Sequence, residues 1–520
     1  MKTILTAIYL VSFSAAFLFA LRNSIHMFQL NSYLNKTQAN WAAKNFKSSF
    51  LKSLPFLISA IVFSLFCESI SGAAISLILN FAALICYLPG KAKKPLVYTK
   101  RVVRLFLTCI IIYLAFMFVP VFMHEKTRFL FLILYIPVLF CAFLPVIGNI
   151  INSPVEKAVR HYYINMAKKK ISSMKNLTVI GITGSYGKTS TKYYLEKLLS
   201  CEYNVLMTPA SYNTTMGVVK TIRENLSATH DIFICEMGAR SPGEIKEICD
   251  IVNPKIGIIT SVGPCHLETF KTMENIVNTK FELFDAVPGD GKVFLNADNE
   301  YIYNKRSDKK IVYYGIDNKD ADFIAEDISC SEKGTEFYIK NGDEKYKFVT
   351  KLLGRHNVQN ITGCIAVARY LGIDFQKLVL PVKQLHGAPH RLSIINAGNL
   401  CTLIDDSFNS NPDGCRAALE VLSSFECEKI IVTPGMVELG EKQHELNFSF
   451  GKDIAKVCDK VFLVGEKQTK SIYDGIINAN YNKNNVFVFK NVTDAINAAK
   501  AQDPYNKKAI LIENDLPDNY

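Results

Sequence analysis

The chain has 520 residues, of which 49% are hydrophobic, so it is too long to fold as a single domain. Its 59 Lys and Arg outnumber its 47 Asp and Glu, which gives a formal net charge of +12 at pH 7. The 14 Cys contain no CxxC pair and no His/Cys cluster at zinc spacing, which excludes a zinc domain of that kind and indicates reduced cysteines in apolar surroundings.

Most of the longest apolar runs lie in the first 151 residues. They predict a membrane region, residues 1–151, with about five transmembrane helices, although the short second and third runs could instead form a re-entrant hairpin. A signal peptide is the alternative for the first run, but no small-residue cleavage pattern follows it and further apolar runs do. The five runs are Met1 to Leu21, Leu54 to Phe66, Ala73 to Leu88, Leu105 to Met123 and Phe129 to Ile151.

Basic residues are concentrated in alternate loops of this region. Residues 22–53, 91–104 and the segment 152–175 are rich in Lys and Arg, whereas 68–72 and 124–128 are nearly bare. The positive-inside rule therefore predicts a multi-pass protein of the cell membrane, with everything after residue 151 in the cytoplasm. The basic charge follows from this orientation and from contact of the linker, 152–175, with anionic lipid, so it gives no reason to invoke nucleic acid.

From about residue 175, short strand-like runs alternate with amphipathic stretches, which is typical of a mostly parallel, helix-covered sheet. Polar alternation within residues 318–352 indicates an antiparallel hairpin at the edge of that sheet. A second series of strands and helices begins after Gly387, so we place a domain boundary at residues 386–390. The predicted fold is therefore α/β, with a central parallel-sheet domain, 176–387, and a Rossmann-like C-terminal domain, 388–520.

The segment 177–200, LTVIGITGSYGKTSTKYYLEKLLS, has the pattern of a strand, a glycine turn and a helix. Backbone N–H groups of such a turn can surround a phosphate, a Lys adds positive charge, and an adjacent hydroxyl can ligate the magnesium of a nucleotide. The strict GxxxxGK spacing is not met, because Ile182 stands where the first Gly should be, and an ordinary βα turn is the alternative. We predict ATP and Mg²⁺ binding by Gly184, Ser185, Gly187, Lys188, Thr189 and Ser190.

Further polar residues follow the predicted strands, at the sheet edge where such folds place their chemistry. Taken singly, Glu236 could be a helix N-cap, His266 a core histidine and Asp406 part of an Asx turn. Lys280 could be an ordinary lysine on a helix surface. The candidates are Glu236, His266, Lys280, Asn357, Arg391, Asp405 and Asp406.

Together these motifs resemble the ATP-dependent Mur ligases, whose nucleotide loop has the form TGxxGKT followed by Ser or Thr. The similarity covers residues 175 to about 465. Within the family it resembles the branch that adds D-alanyl-D-alanine to the cell-wall precursor (MurF type), through the segments EMGA, GEI, LGRHNVQN, DDSFNSNPD and MVELG.

The resemblance implies a role for each matching residue. Lys188 and the loop amides would hold the ATP phosphates, and Thr189 with Glu236 would hold one Mg²⁺. His266 would hold a second Mg²⁺ together with Lys280, if that lysine is carbamylated. The implied catalytic residues are therefore Lys188, His266 and Lys280.

The resemblance also implies that Asn357 and Arg391 contact the nucleotide, and that Asp406 contacts the ribose or the hinge of the C-terminal domain. In the implied reaction, a substrate carboxylate takes the γ-phosphate of ATP, and an amine then displaces phosphate to form an amide. Two departures stand out. Phe408 replaces the usual Tyr, and the ATP-binding core begins within about 30 residues of the last apolar run, where the family has a domain that grips UDP.

Three functions agree with these observations. The first is a membrane-tethered ligase of MurF type that acts on a nucleotide-linked peptide precursor with an amino acid or dipeptide. The second is a ligase for a lipid-linked precursor or another amino-acid polymer, such as poly-γ-glutamate. The third is a non-catalytic ATP-binding module for membrane assembly, which a second metal site at His266 and Lys280 argues against.

Overall fold

The computed structural model describes residues 2–89, 94–123, 128–210, 212–265, 267–304, 311–331, 334–387, 391–396, 398, 400–407, 411–437, 439–503 and 505–514. The chain divides into two compact units, Met1–His161 and Tyr162–Asp515. The first unit is helical, and the second contains both β-sheets.

The first unit is built from helices because a helix satisfies the backbone polar groups of a long apolar stretch internally. Its interior is packed with aromatic rings, such as Tyr9 stacked on Phe63 with 3.9 Å between ring centroids. The helices are α1 Lys2–Leu30, α2 Asn35–Lys44, α3 Phe46–Phe66, α4 Ile70–Cys86, α5 Lys100–Met123, a 3₁₀ helix Arg128–Leu134, α6 Tyr135–Leu139 and the first part of α7 Leu144–Ser172.

Three of these helices are long and apolar enough to cross a membrane: Thr3–Leu30, Phe46–Phe66 and Lys100–Val121. A fourth span results if Phe129–Leu139 and Leu144–Ser172, which are bent by 75° at their junction, count as one. The described residues therefore hold three or four candidate spans against the five predicted. One predicted span is missing because the third apolar run forms a helix of only 17 residues, α4, and the fifth run counts as a span only if its two bent helices are taken together.

The central domain contains a nine-stranded sheet in the order β2-β3-β1-β4-β5-β6-β7-β8-β9. Neighbours from β2 to β7 are parallel, and β7, β8 and β9 are antiparallel, which confirms the hairpin predicted at the sheet edge. The strands are β1 Thr178–Thr183, β2 Val205–Met207, β3 Ile232–Glu236, β4 Ile256–Ile259, β5 Lys292–Asn296, β6 Ile311–Gly315, β7 Phe323–Ser331, β8 Gly334–Asn341 and β9 Glu344–Thr350. The helices are α8 Lys188–Leu199, α9 Thr215–Glu224, α10 Glu244–Val252, α11 Leu267–Phe270, α12 Met273–Ala286, α13 Glu300–Tyr303, α14 Arg355–Tyr370 and α15 Phe375–Lys383.

The C-terminal domain contains a six-stranded sheet in the order β10-β11-β15-β12-β13-β14, parallel except for β10. This confirms the α/β fold predicted for both domains; of the predicted boundary, residues 388–390 lie outside the described part. The strands are β10 Ser393–Asn396, β11 Cys401–Asp406, β12 Glu428–Thr433, β13 Lys460–Val464, β14 Val486–Phe489 and β15 Lys508–Glu513. The helices are α16 Pro412–Ser423, α17 Gln443–Val457, α18 Lys470–Asn478 and α19 Val492–Ala501.

The predicted linker, residues 152–175, is helical as far as Ser172 and forms the second half of α7. Tyr163, Ile164, Ala167 and Ile171 recur at helical spacing and pack into one apolar cluster with strands and helices of the central domain. This burial explains why the chain from Tyr162 onward belongs to the second unit, whereas the part of the predicted linker before it belongs to the first.

Candidate active site

The glycine turn joins β1 to α8, and its backbone conformation requires glycine at two positions. Gly184 has φ +149° and Gly187 has φ +77°, both in the region that L side chains rarely adopt. A Cβ at Gly184 would also collide with Thr260 Oγ1, and one at Gly187 would lie 2.8 Å from Asn360 Oδ1. The turn is therefore held tightly against the neighbouring strand end and helix.

Lys188 is the first residue of α8, and its side chain folds back over the turn. Its Nζ donates hydrogen bonds to Gly184 O at 2.7 Å and to Ser185 O at 3.1 Å. Burial lowers the pKa of the Lys188 ammonium, and the nearby Glu236 carboxylate opposes that shift. A cation thus lies at the mouth of a turn that opens a helix, the arrangement that attracts phosphate.

The turn is also bonded to the segment after β4. Ser185 N donates to Ser261 O at 2.7 Å, and Tyr186 Oη donates to Pro264 O at 2.7 Å. These bonds fix the chain immediately before His266. The predicted metal ligand His266 itself lies outside the described residues.

Glu236 ends β3, which pairs in parallel with β1, so its carboxylate reaches the start of α8. Its Oε1 accepts hydrogen bonds from Thr189 Oγ1 and from Asn213 Nδ2, each at 3.1 Å, and its Oε2 lies 2.9 Å from Lys192 Nζ. A hydroxyl and a carboxylate are oxygen donors of the kind that Mg²⁺ prefers, and here they lie within hydrogen-bond distance of each other. That they hold Mg²⁺ stays a prediction. Within the described ranges, no group of three or more His, Cys, Asp or Glu side chains is placed to hold a metal ion.

Lys280 lies on α12 and is buried, within electrostatic reach of Lys188. Burial, assisted by the Lys188 charge, lowers the pKa of the Lys280 amine to about 8. The structure therefore brings Lys280 to the nucleotide loop with an amine that loses its proton easily. The next carboxylate on this helix, Glu282, accepts from the backbone N–H of Gly243 and Lys246 and so stabilises the start of α10.

Asn357 is buried on α14, and its amide is engaged within the protein. Its Nδ2 donates to Leu353 O at 2.8 Å, and its Oδ1 accepts from Tyr194 Oη at 2.7 Å. Asn357 thereby holds α14 against α8. The contact with a nucleotide that the resemblance implies for Asn357 stays a prediction.

Arg391 and Asp406 lie in the C-terminal domain and interact with each other. Burial raises the pKa of Asp406 to about 6. The Arg391 charge and a hydrogen bond from Leu392 N to Asp406 Oδ1, at 3.2 Å, both act to lower it. Burial lowers the pKa of Arg391, while Asp406, Glu236 and Glu513 oppose the shift. Arg391 is therefore within electrostatic reach of carboxylates from both domains. The contacts of Arg391 with the nucleotide and of Asp406 with the ribose or the hinge stay predictions.

The start of α16 approaches the glycine turn from the C-terminal domain. A Cβ at Gly263 would lie 3.0 Å from Tyr186 Oη and 3.2 Å from Asp413 Oδ2, so these two side chains meet at Gly263. Burial and the Asp413 charge both raise the pKa of Tyr186. Beside α8, a cleft of about 320 Å³ lies between Tyr193, Glu196 and Lys197 and the segment 384–387.

Sequence reasoning missed three side chains in this site: Lys192, Asn213 and Asn360. Lys192 is fully buried on α8, and Asn213 lies in the loop between β2 and α9. Its spacing could have indicated Lys192: it follows Lys188 by four residues and shares a helix face with the apolar residues Leu195 and Leu199.

The fold and the glycine turn define a two-domain α/β enzyme that uses a nucleoside triphosphate. Residues 182–368 match the Mur ligase middle domain, and residues 390–512 match the Mur ligase glutamate ligase domain. The UDP-N-acetylmuramoyl-tripeptide–D-alanyl-D-alanine ligase of Bacillus subtilis is 31% identical over 326 residues, which cover 62% of this chain and 70% of that protein. The Escherichia coli enzyme of the same name is 30% identical over 299 residues, covering 56% and 66%.

A crystal structure of MurF from Acinetobacter baumannii superimposes with a TM-score of 0.62 and 26% identity, covering 68% of this chain and 77% of that one. The chain belongs to the Mur ligase family, the ATP-dependent, ADP-forming ligases. This confirms the family, the fold and the enzyme class that the sequence motifs predicted. The matched domains account for residues 182–368 and 390–512, so the apolar helices before α7 lie outside the family match.

Proposed function

We propose that the protein is an amide ligase of peptidoglycan precursor synthesis, which joins a D-alanyl-D-alanine dipeptide to a UDP-linked muramoyl peptide as its named relatives do. The observation that carries this proposal is the convergence of Thr189 Oγ1 and Glu236 Oε1, 3.1 Å apart, beside the Lys188 ammonium and the glycine turn. That arrangement suits phosphoryl transfer, because fixed cations and oriented N–H groups stabilise the charge that develops on the phosphate.

In the proposed reaction, a carboxylate oxygen of the precursor attacks the γ-phosphorus of ATP, and the bond to the β-phosphate oxygen breaks to release ADP. The amine of the dipeptide then attacks the acyl carbon, the acyl C–O bond breaks, phosphate leaves and the amine loses a proton. Lys188 and the loop amides hold the phosphates throughout. Mg²⁺, held by Thr189 and Glu236, would supply further charge neutralisation at the phosphates.

We propose that Lys280 is carbamylated in the active enzyme. An amine reacts with carbon dioxide in its uncharged form, and a pKa of about 8 gives this amine an appreciable uncharged fraction near neutral pH. The product is an anionic oxygen ligand next to Lys188, which suits a second Mg²⁺ together with His266.

The test is ADP release by the purified full-length protein, with the ligated product identified by mass. We expect ADP release only when a UDP-linked muramoyl tripeptide and D-alanyl-D-alanine are both present. If no pair of carboxylate and amine in a panel of cell-wall precursors stimulates ADP release, the proposed ligase reaction is wrong.

A lipid-linked precursor is a second candidate for the carboxylate substrate, and the three helices long enough to cross a membrane favour it. A substrate held in the bilayer would meet an enzyme held there at high local concentration. The two candidates separate in one assay, in which lipid-linked and UDP-linked forms of the same peptide compete for a limiting amount of protein in vesicles. Preferential consumption of the lipid-linked form identifies it as the substrate.

We predict that residue 160 is cytoplasmic and that residues 124–128 are on the other side of the membrane. ATP is available in the cytoplasm, and the basic loops favour the same orientation. Single cysteines introduced at these two places in a variant without the exposed native cysteines should differ in labelling by a membrane-impermeant thiol reagent in intact cells. Labelling at residue 160 but not at 124–128 would contradict both the orientation and the proposed function.

A further inference from the structure

Lys192 occupies an unusual place for a lysine. It lies on α8, four residues after Lys188, and its side chain is completely buried. Its Nζ lies 2.9 Å from Glu236 Oε2 and donates to the carbonyl of Ala210. A buried ammonium is costly unless it is paired and hydrogen-bonded, and here both conditions are met by a predicted metal ligand and a loop carbonyl.

The two oxygens of Glu236 therefore have different partners. Oε2 is held by Lys192, whereas Oε1 accepts from the Thr189 hydroxyl and the Asn213 amide. Thr189 is the other predicted Mg²⁺ ligand, so Oε1 is the oxygen that faces the cation site. With Oε2 engaged by an ammonium, the carboxylate can offer only one oxygen to a metal.

The same ammonium also fixes the loop between β2 and α9. Ala210, whose carbonyl accepts from Lys192, has φ +44°, an uncommon conformation for a residue with a side chain. Three residues later, Asn213 donates to Glu236, and Asn213 O accepts from Gly238 N at 2.7 Å. Lys192 thus ties this loop to the carboxylate and α8.

We propose that Lys192 is a positioning residue for the metal site: it holds Glu236 so that Oε1 alone binds Mg²⁺, and its positive charge weakens the binding of that ion enough for the nucleotide product to leave. This inference rests on the proposed function, in which Glu236 and Thr189 hold Mg²⁺. A residue that served packing alone would have no effect on how tightly a cation binds.

The test measures Mn²⁺ binding to the full-length protein in the presence of ADP, by electron paramagnetic resonance, alongside the Mg²⁺ dependence of turnover. Lys192→Met should bind Mn²⁺ roughly tenfold more tightly, because a positive charge next to the ligand is removed. Its kcat should fall by about 10- to 100-fold, because Glu236 is no longer held in one orientation. Lys192→Arg keeps the charge and should bind Mn²⁺ as tightly as the unchanged protein.

Lys255→Met is the matched control, because Lys255 is an exposed lysine of the same domain. If Lys192→Met does not fold, as judged by its melting curve, Lys192→Gln replaces it, since an amide can still bond both Glu236 and Ala210. The inference is overturned if removing the Lys192 charge leaves the Mn²⁺ affinity unchanged, or if Lys192→Met and Lys192→Arg change that affinity equally. If the unchanged protein with ADP binds no Mn²⁺, both the proposed metal site and this inference are wrong. If it binds Mn²⁺ but the Lys192 substitutions do not change the affinity, only this inference is wrong and the proposed function stands.

Discussion

Lys188→Ala is expected to reduce ATP-dependent phosphate release by at least about 10³-fold while leaving the protein folded. Among the described residues, the Lys188 ammonium donates hydrogen bonds to the carbonyls of Gly184 and Ser185, and both belong to the turn that would receive the phosphates. Its charge is therefore available to the transferring phosphoryl group, where it lowers the barrier and contributes little to the folded state. Phosphate release at saturating ATP measures the effect.

Lys246→Ala serves as the control for this variant, because Lys246 is an exposed lysine on α10 that pairs with Asp250. Its phosphate release and melting temperature should match those of the unchanged protein. Retained phosphate release in Lys188→Ala would show that the glycine turn is not the active site.

Lys280→Ala is expected to lower ligase activity by at least about 10²-fold, and short carboxylic acids should restore part of it. If the lysine is carbamylated, the substitution removes an anionic oxygen ligand and leaves a gap on α12 that a small carboxylate can enter. The burial that lowers the pKa of Lys280 to about 8 favours the uncharged amine needed for carbamylation. Turnover is measured with and without added acetate or formate.

A second measurement separates the carbamate from a merely buried amine. Removing carbon dioxide and bicarbonate from the buffer should lower the activity of the unchanged protein and have no effect on Lys280→Ala. Lys220→Ala, at an exposed position on α9, controls for the loss of a surface charge. Full activity of Lys280→Ala would reduce this residue to a structural lysine.

The glycine turn could be predicted because its strand, turn and helix are contiguous in the sequence. The local residue pattern is therefore enough to recognise it. Lys192 could not be recognised in the same way, since a helical lysine is normally solvated. Its partner Glu236 comes 44 positions later and meets it only because β3 pairs with β1. The order of strands in the C-terminal sheet could not be predicted for the same reason. The last strand, β15, lies between β11 and β12, and the spacing of strands along the chain does not reveal this position.

The burial of the end of α7 decides where a soluble fragment of this enzyme can begin. A fragment cut at β1 would lose Tyr163, Ile164, Ala167 and Ile171 and so remove part of the apolar cluster that they form with the central domain, to which Val218 and Ile222 on α9 also belong. It would also lose the contact between the Arg223 guanidinium and the Tyr163 ring, whose centroid lies 4.0 Å from Arg223 Cζ. An exposed apolar surface of this kind promotes aggregation. A fragment that starts near residue 152 retains this helix and is the one suited to expression without the apolar helices.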